Sequence, residues 1–161
     1  MFSADRFFTA INPLIRTILR SPVHWLLSWG LMLITVTGRR SGIRRTFPVG
    51  YQRAHDQITV MISEARRKSW WRNLIEPAAV EMRIKGSVIQ GTGVHVPADA
   101  AEFLECAEGT MRRVPGLAAS WGIAGYNRRA GLTDEQRVQL ERNVALVRIT
   151  VSGWRCCTAR R

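Results

Sequence analysis

Hydrophobic and polar residues alternate along this chain with two different periods. Apolar or alternating runs typical of β-strands cover residues 31–37, 43–51, 57–63, 80–85, 87–96 and 145–151. A helical period, with apolar positions three and four apart, covers residues 97–113 and 134–143. We therefore expect an α+β fold, a barrel of mainly antiparallel strands with inserted helices.

Two details of this pattern predict local structure. Residues 53–56 are polar and predict a turn between the second and third strands. Gly91 and Gly93 interrupt the longest strand, and they predict a bulge at which the barrel bends.

The first 29 residues predict a helical segment ahead of the barrel. Apolar residues between Phe7 and Leu19 recur at spacings of three and four, so a helix here would have one apolar face. Packing over the barrel is the commoner fate of such a helix. The alternative is that residues 6–29 lie on an anionic membrane surface, as a peripheral contact on the inner face. The start of the chain lacks the pattern of a secretory signal.

The 161 residues suit a single domain with one main core. We expect a helical segment over residues 1–29, a barrel domain over residues 30–155 and a basic tail over residues 156–161. Three cysteines without a C-x-x-C motif argue against a disulfide framework and fit a cytoplasmic protein. The three histidines are scattered, so we expect no metal site.

The net charge of +12 results from 24 arginines and lysines against 12 carboxylates. Such a balance predicts affinity for anions: nucleic acid, an acidic membrane face or a polyanionic cofactor. The arginines are spread along the chain as pairs, and neither a helix-turn-helix pattern nor an aromatic-interleaved tract accompanies them. We therefore expect no specific nucleic-acid partner.

A basic turn, residues 38–42 (Gly-Arg-Arg-Ser-Gly), separates the first two strands. Its two guanidiniums, its hydroxyl and its glycine-freed backbone N–H groups suit a cluster of anionic oxygens, which predicts a phosphate site. The alternative is a plain hairpin turn with solvated arginines. Arg44 and Arg45 extend the cluster, and strict alternation would direct one of them into the barrel, where a guanidinium needs an anion.

Two motifs resemble the deazaflavin-dependent nitroreductase family: Thr-Gly-Arg-Arg-Ser-Gly-x-x-Arg-Thr-x-Pro-Val (Thr37 to Val49) and Trp-Trp-Arg-Asn (Trp70 to Asn73). The resemblance covers about residues 22–151 and implies a split β-barrel of the flavin-reductase-like, FMN-binding-like fold. It also implies an oxidoreductase, similar to nitroreductases and quinone reductases, that moves a hydride from reduced coenzyme F-420 to a small flat acceptor.

Carried over position by position, the resemblance implies which residues bind the coenzyme. The basic turn would hold the phosphate and acidic tail, and the segment after it would offer backbone to the deazaflavin ring. The implied set is Arg39, Arg40, Ser41, Gly42, Arg45, Pro48, Val49, Gly50, Ser63, Arg67, Lys68, Trp70, Trp71 and Asn73. The loop after the third strand departs from the family pattern, since it is short and its Glu64 would repel an acidic tail.

No side chain is predicted to be catalytic. The serines have no histidine at a suggestive spacing, and the carboxylates form no evident pair. A hydride-transfer protein leaves the chemistry to its cofactor and supplies position and electrostatics.

The acceptor side of the site is predicted to involve Tyr51, Trp121 and Tyr126. Glycines and aromatic residues between Met111 and Tyr126 suggest a loop that closes over a flat ligand. The alternative for Trp121 is a buried plug at the barrel end. A second function also stays open, because a related branch of the family implies a non-catalytic barrel that binds fatty acid or a similar lipid. A homodimer is an open alternative to a monomer.

Overall fold

The computed structural model describes residues 30–114 and 116–152. The predictions for residues 1–29, for Pro115 and for the basic tail at residues 156–161 lie outside these residues.

A seven-stranded antiparallel sheet forms the body of the protein. Its strands are β1 (Leu31–Thr37), β2 (Arg44–Gly50), β3 (Gln52–Ala54), β4 (Gln57–Ser63), β5 (Ala78–Ile84), β6 (Ser87–Val96) and β7 (Val144–Val151). Their order across the sheet is β2-β1-β5-β6-β7-β4-β3. Because β2 at one edge also contacts β4 near the other edge, the sheet curls towards a barrel.

Four helices connect the strands or cover the sheet in the described part of the chain. They are a 3-10 helix (Trp70–Leu74) between β4 and β5, and the α-helices α1 (Ala101–Arg113), α2 (Leu117–Ser120) and α3 (Asp134–Asn143) between β6 and β7. A capping box starts α3, since the Thr133 hydroxyl accepts from the Gln136 N–H and the Gln136 side chain accepts from the Thr133 N–H. The predicted α+β class is confirmed.

The two faces of the sheet bury two separate cores. The inner face of the curl packs alternate residues of β1, β4, β5 and β7 around Trp70 and Leu74 of the 3-10 helix. The outer face packs Leu146 and Val96 against α1 and α3, chiefly through Phe103 and Leu140. The 3-10 helix therefore contributes directly to the inner core, and its position is set by apolar burial.

Two local predictions are wrong. Residues 53–56 are more than a turn, because Gln52–Ala54 forms β3 and pairs with β4, which leaves only His55 and Asp56 in the turn. The strand β6 has no bulge at its glycines, since its pairing with β5 and with β7 runs without interruption. The glycines serve close packing instead: a Cβ at Gly91 would lie 2.7 Å from the Thr150 carbonyl oxygen.

Candidate functional site

The basic turn is a closed hairpin loop with its own hydrogen bonds. The Gly42 N–H donates to the Gly38 carbonyl (2.8 Å), and the Gly38 N–H donates to the Ile43 carbonyl (3.0 Å). Gly42 has a φ of 66°, which favours glycine, and the Ser41 hydroxyl accepts from the Ile43 N–H at 3.3 Å. The loop is therefore ordered by its own sequence.

The side chain of Asn73 joins the basic turn to the 3-10 helix. Its Oδ1 accepts from the Arg39 N–H at 3.0 Å, and its Nδ2 donates to the Trp70 carbonyl at 2.9 Å. Of the backbone N–H groups in the basic turn, those of Arg40 and Ser41 have no acceptor among the described residues. Two adjacent free N–H groups in a fixed turn suit an anion.

The arginines around the basic turn differ in how they are paired. Arg44 donates to Glu81 at 2.9 Å, and this bond together with one from Gln90 lowers the pKa of the Glu81 carboxyl. Arg39 lies 3.7 Å from the largely exposed Glu76, which is a weak pair at best. Arg40 and Arg45 form no ion pair with any described residue. These two guanidiniums are free to pair with an added anion.

Neither Arg44 nor Arg45 is enclosed by the barrel, so that prediction is wrong. Both side chains are exposed. Arg45 is opposite Val36, the last residue of β1 that pairs with β5, and Arg44 is opposite Thr37, one residue further on, so both lie at the end of the hairpin next to the basic turn.

The outer edge of β2, next to the basic turn, pairs with no described strand, and we call it the free edge of β2. The pairs Gly38–Ile43 and Gly30–Tyr51 are hydrogen-bonded, so the odd-numbered residues of β2 bond to β1 and the even-numbered ones point away. Pro48, which has no N–H, falls on the outward-pointing set. Pro48 and Gly50 therefore offer outward backbone groups, as the resemblance implies, whereas the N–H and carbonyl of Val49 are directed to β1.

The loop between β4 and the 3-10 helix pairs its own charges. The Glu64 carboxylate lies 3.5 Å from Arg67 and 4.0 Å from Lys68, and Lys68 also donates to the Ser63 hydroxyl at 3.1 Å. Glu64 is thus partly neutralised by its neighbours, which reduces the repulsion of an acidic ligand that the sequence suggested.

The two adjacent tryptophans of the 3-10 helix face different surroundings. Trp70 is 8% exposed and stacks on Phe47 of β2 at 5.5 Å between ring centroids. Trp71 is half-buried, stacks on His95 at 4.6 Å and donates its indole N–H to the Ala65 carbonyl at 3.0 Å. Trp70 is therefore a core anchor that supports β2, whereas Trp71 packs against the inner core only in part and also lines a cleft.

The sequence did not single out His95. It lies near the end of β6, and burial lowers the pKa of its imidazole. A single histidine in a strand carries no spacing signal, and only the fold brings it against Trp71.

The residues predicted for the acceptor side do not gather at the basic turn. Tyr51 follows β2 and packs against the inner core, where burial raises the pKa of its phenol. Trp121 is only 4% exposed, and it belongs with Tyr126 to the outer core under α1 and α2. The Oη of Tyr126 is buried and has no partner among the described residues. Trp121 is therefore a buried plug and not part of an open loop.

No described helix is both long and apolar enough to cross a membrane. Among residues 30–114 and 116–152, no group of three or more histidine, cysteine or acidic side chains is arranged to hold a metal ion.

Comparison with solved structures identifies the fold. The chain is similar to an F420-H2 dependent reductase, FDR-A, with a TM-score of 0.50, 16% identity, and coverage of 75% of this chain and 94% of that one. It is also similar to HutZ, the heme storage protein of Vibrio cholerae (TM-score 0.52, 10% identity, 89% and 91% coverage). A third similar structure is described as a domain-swapped dimer (TM-score 0.51, 16% identity, coverage of 80% of this chain and 99% of that one). These likenesses confirm the predicted split-barrel fold.

None of the curated proteins matches the chain. The model of the F420H(2)-dependent quinone reductase family matches residues 21–114, a segment that contains the basic turn, the free edge of β2 and the 3-10 helix. Because this match spans more than half of the 161 residues, the chain belongs to the F420H(2)-dependent quinone reductase family, a family of oxidoreductases that use reduced coenzyme F-420.

Proposed function

We propose that this protein binds reduced coenzyme F-420 at the basic turn and along β2, and that it reduces a quinone or another small flat acceptor. The observation that carries the proposal is the basic turn itself. It lies inside the segment that the family model matches, and Asn73 fixes it to the 3-10 helix. The guanidinium of Arg40 and the N–H groups of Arg40 and Ser41 have no partner among the described residues.

The residues present fit the anionic part of the coenzyme. Arg40 and Arg45 supply guanidiniums without a carboxylate partner among the described residues, and the backbone N–H groups of Arg40 and Ser41 can donate to phosphate oxygens. The Ser41 hydroxyl already accepts from a backbone N–H, yet it keeps its own proton to donate.

The flat part of the coenzyme would lie along the free edge of β2. The outward carbonyls of Pro48 and Gly50 and the outward N–H of Gly50 are polar groups fixed by the sheet. Trp70 holds this strand in place through its stack on Phe47. When bound, reduced F-420 supplies the hydride, and the chain supplies its position and its electrostatic surroundings.

A titration of reduced F-420 tests this proposal with two matched variants. Arg40→Gln removes an unpaired charge, whereas Arg44→Gln removes a charge from the same hairpin that is already bonded to Glu81. A charge-assisted hydrogen bond contributes about 1.5–3 kcal/mol, so Arg40→Gln should weaken binding by roughly ten- to hundredfold. Arg44→Gln should change it by less than about threefold. Equal losses in the two variants, or no binding by the folded wild type at low salt, would refute the assignment.

The lipid-binding alternative is not favoured by the family match. Mass spectrometry of lipids extracted from the purified protein remains a simple check of it. A stoichiometric acyl chain together with no affinity for F-420 would reverse the preference. Contact of residues 6–29 with a membrane stays a prediction, because those residues lie outside the described ones.

A homodimer is the assembly that we propose to test first. The split-barrel neighbour described as a domain-swapped dimer supports this choice. Light scattering on the purified protein distinguishes a mass near 18.2 kDa from twice that value.

A further inference from the structure

A second cleft opens beside Trp71 and His95. Its volume is about 450 Å³. The loop after β4, the end of β6, α1 and the end of α3 form its walls, and no residue of the basic turn or of β2 lines it. It is thus separate from the turn to which we assign the coenzyme.

One wall of the cleft is aromatic and fixed. The indole of Trp71 is tied to the Ala65 carbonyl at 3.0 Å, and the imidazole of His95 stacks on it with an angle of 27° between the rings. No described residue makes a hydrogen bond to the His95 ring, so its two nitrogens remain available. The buried side chains of Phe103 and Val144 add an apolar floor. This combination suits a flat, largely apolar ring.

The rim of the cleft is cationic. Arg66, Arg72 and Arg142 line it, and none of them forms an ion pair with a described carboxylate, although Arg72 lies 5.5 Å above the Trp71 ring. Glu141 is the carboxylate among the lining residues. With His95 neutral, three positive charges face one negative charge, and an anion at the rim would reduce their mutual repulsion.

We propose that this cleft binds a planar aromatic carboxylate, with the ring against Trp71 and His95 and the carboxylate at Arg66 and Arg142. Arg142 lies in the last turn of α3, and Arg66 approaches from the loop after β4. Two guanidiniums from different elements therefore line the same cleft. The inference does not rest on coenzyme binding at the basic turn.

The test uses 2-naphthoate as the probe, and its binding is followed by calorimetry in the absence of coenzyme. Wild-type protein should bind it saturably, and Arg142→Gln should weaken binding about tenfold or more, as expected for loss of a charge-assisted bond. Arg137→Gln is the control, since it removes the same charge from the same helix at a residue outside the cleft that lies 4.0 Å from Asp134. The uncharged analogue 2-naphthalenemethanol should bind the wild type more weakly than 2-naphthoate.

A second readout reports on the aromatic wall. Bound naphthoate should shift the NMR signals of the His95 ring protons, because its aromatic ring would lie against the imidazole. Equal weakening by Arg142→Gln and Arg137→Gln would overturn the proposal, as would no saturable binding by the wild type. Loss of binding in Arg40→Gln with full binding in Arg142→Gln would also overturn it, because the anion would then bind at the basic turn.

Discussion

At the scale of single residues, Asn73 has the largest structural role in the site. Its side chain bonds to the basic turn and to the 3-10 helix at once. Asn73→Ala removes both bonds, so we expect the free energy of unfolding to fall by about 1–3 kcal/mol and F-420 binding to weaken. Asn127→Ala is the control, since it removes a side-chain bond in a turn elsewhere, to the Arg129 N–H. Denaturant unfolding and coenzyme titration measure the two effects. If both variants bind F-420 equally well, Asn73 does not organise the site.

The stacked His95 makes stability depend on pH. Burial lowers its pKa below the ordinary 6.5, so between that lowered pKa and 6.5 the unfolded chain binds more protons than the folded protein. The contribution of His95 to the free energy of unfolding is fully present above pH 6.5 and is lost as the pH falls through this window. His95→Phe keeps a stacked ring but cannot titrate, so its unfolding free energy should fall less than the wild type's between about pH 7 and pH 5.

The control for this experiment is the exposed His55, which occupies a turn with a φ of 56°. Asparagine tolerates that conformation, so His55→Asn removes a histidine elsewhere in the chain without straining its turn. Identical slopes in the wild type and His95→Phe would show that His95 does not contribute.

The substitution Trp121→Ala distinguishes two roles for this side chain, a buried plug and part of a lid over the ligand. With 4% exposure it should behave as a plug, and Trp121→Ala should reduce the free energy of unfolding by about 3–5 kcal/mol. Val138→Ala, at a residue that is 48% exposed on α3, should change stability by less than about 0.5 kcal/mol. Urea denaturation compares the two. A stable Trp121→Ala variant with a raised Michaelis constant for the acceptor would restore the lid hypothesis.

At the scale of elements, the surroundings of two glycines predict opposite effects of a substitution by alanine on stability. Gly91 lies where β6 meets β7, and an alanine Cβ would come 2.7 Å from the Thr150 carbonyl oxygen, so Gly91→Ala should destabilise by about 1–3 kcal/mol. Gly109 lies within α1 with nothing within 4 Å of an added Cβ, so Gly109→Ala should stabilise by about 0.5–1 kcal/mol. Melting temperatures that shift in the same direction would contradict this account of the β6 glycines.

Most elements could be predicted from local pattern, because each has its own signal. The seven apolar or β-branched residues of β1 end at Gly38, and the cap at Thr133 fixes the start of α3. β3 was missed because three residues are too few to show alternation, and the strand forms only when the turn at His55 folds it onto β4. The glycines of β6 were misinterpreted because their tight packing involves strands distant in the sequence.

The candidate site was predictable only where its residues are contiguous. The basic turn and the Trp70–Asn73 motif can be read directly, and the structure brings them together through Asn73. The cleft at Trp71 joins β6, α1 and α3, so its members have no common sequence signal. The exposure of Arg45 was missed for a similar reason: alternation predicts the face of a sheet on which a side chain lies but not how far that face is covered.

At the scale of the whole molecule, the arginines that matter for anion binding are those that lack a carboxylate partner among the described residues. Two places hold such arginines, the basic turn and the Trp71 cleft, and residues of the 3-10 helix bond to the first and line the second. Other arginines are paired, for example Arg148 with Glu102 at 2.6 Å and Arg112 with Glu108 at 2.9 Å. Net charge alone therefore does not indicate where an anion would bind, and both proposed sites rest on arginines without a carboxylate partner among the described residues.

The central claim is that the basic turn positions reduced F-420 for hydride transfer to a quinone. The most direct measurement mixes the protein anaerobically with reduced F-420 and excess menadione and follows oxidation of the coenzyme by its absorbance. We expect the wild type and Arg44→Gln to accelerate oxidation well above the protein-free rate, and Arg40→Gln to lose most of that rate at subsaturating coenzyme. Oxidation no faster than without protein, in a folded sample saturated with coenzyme, would contradict the account.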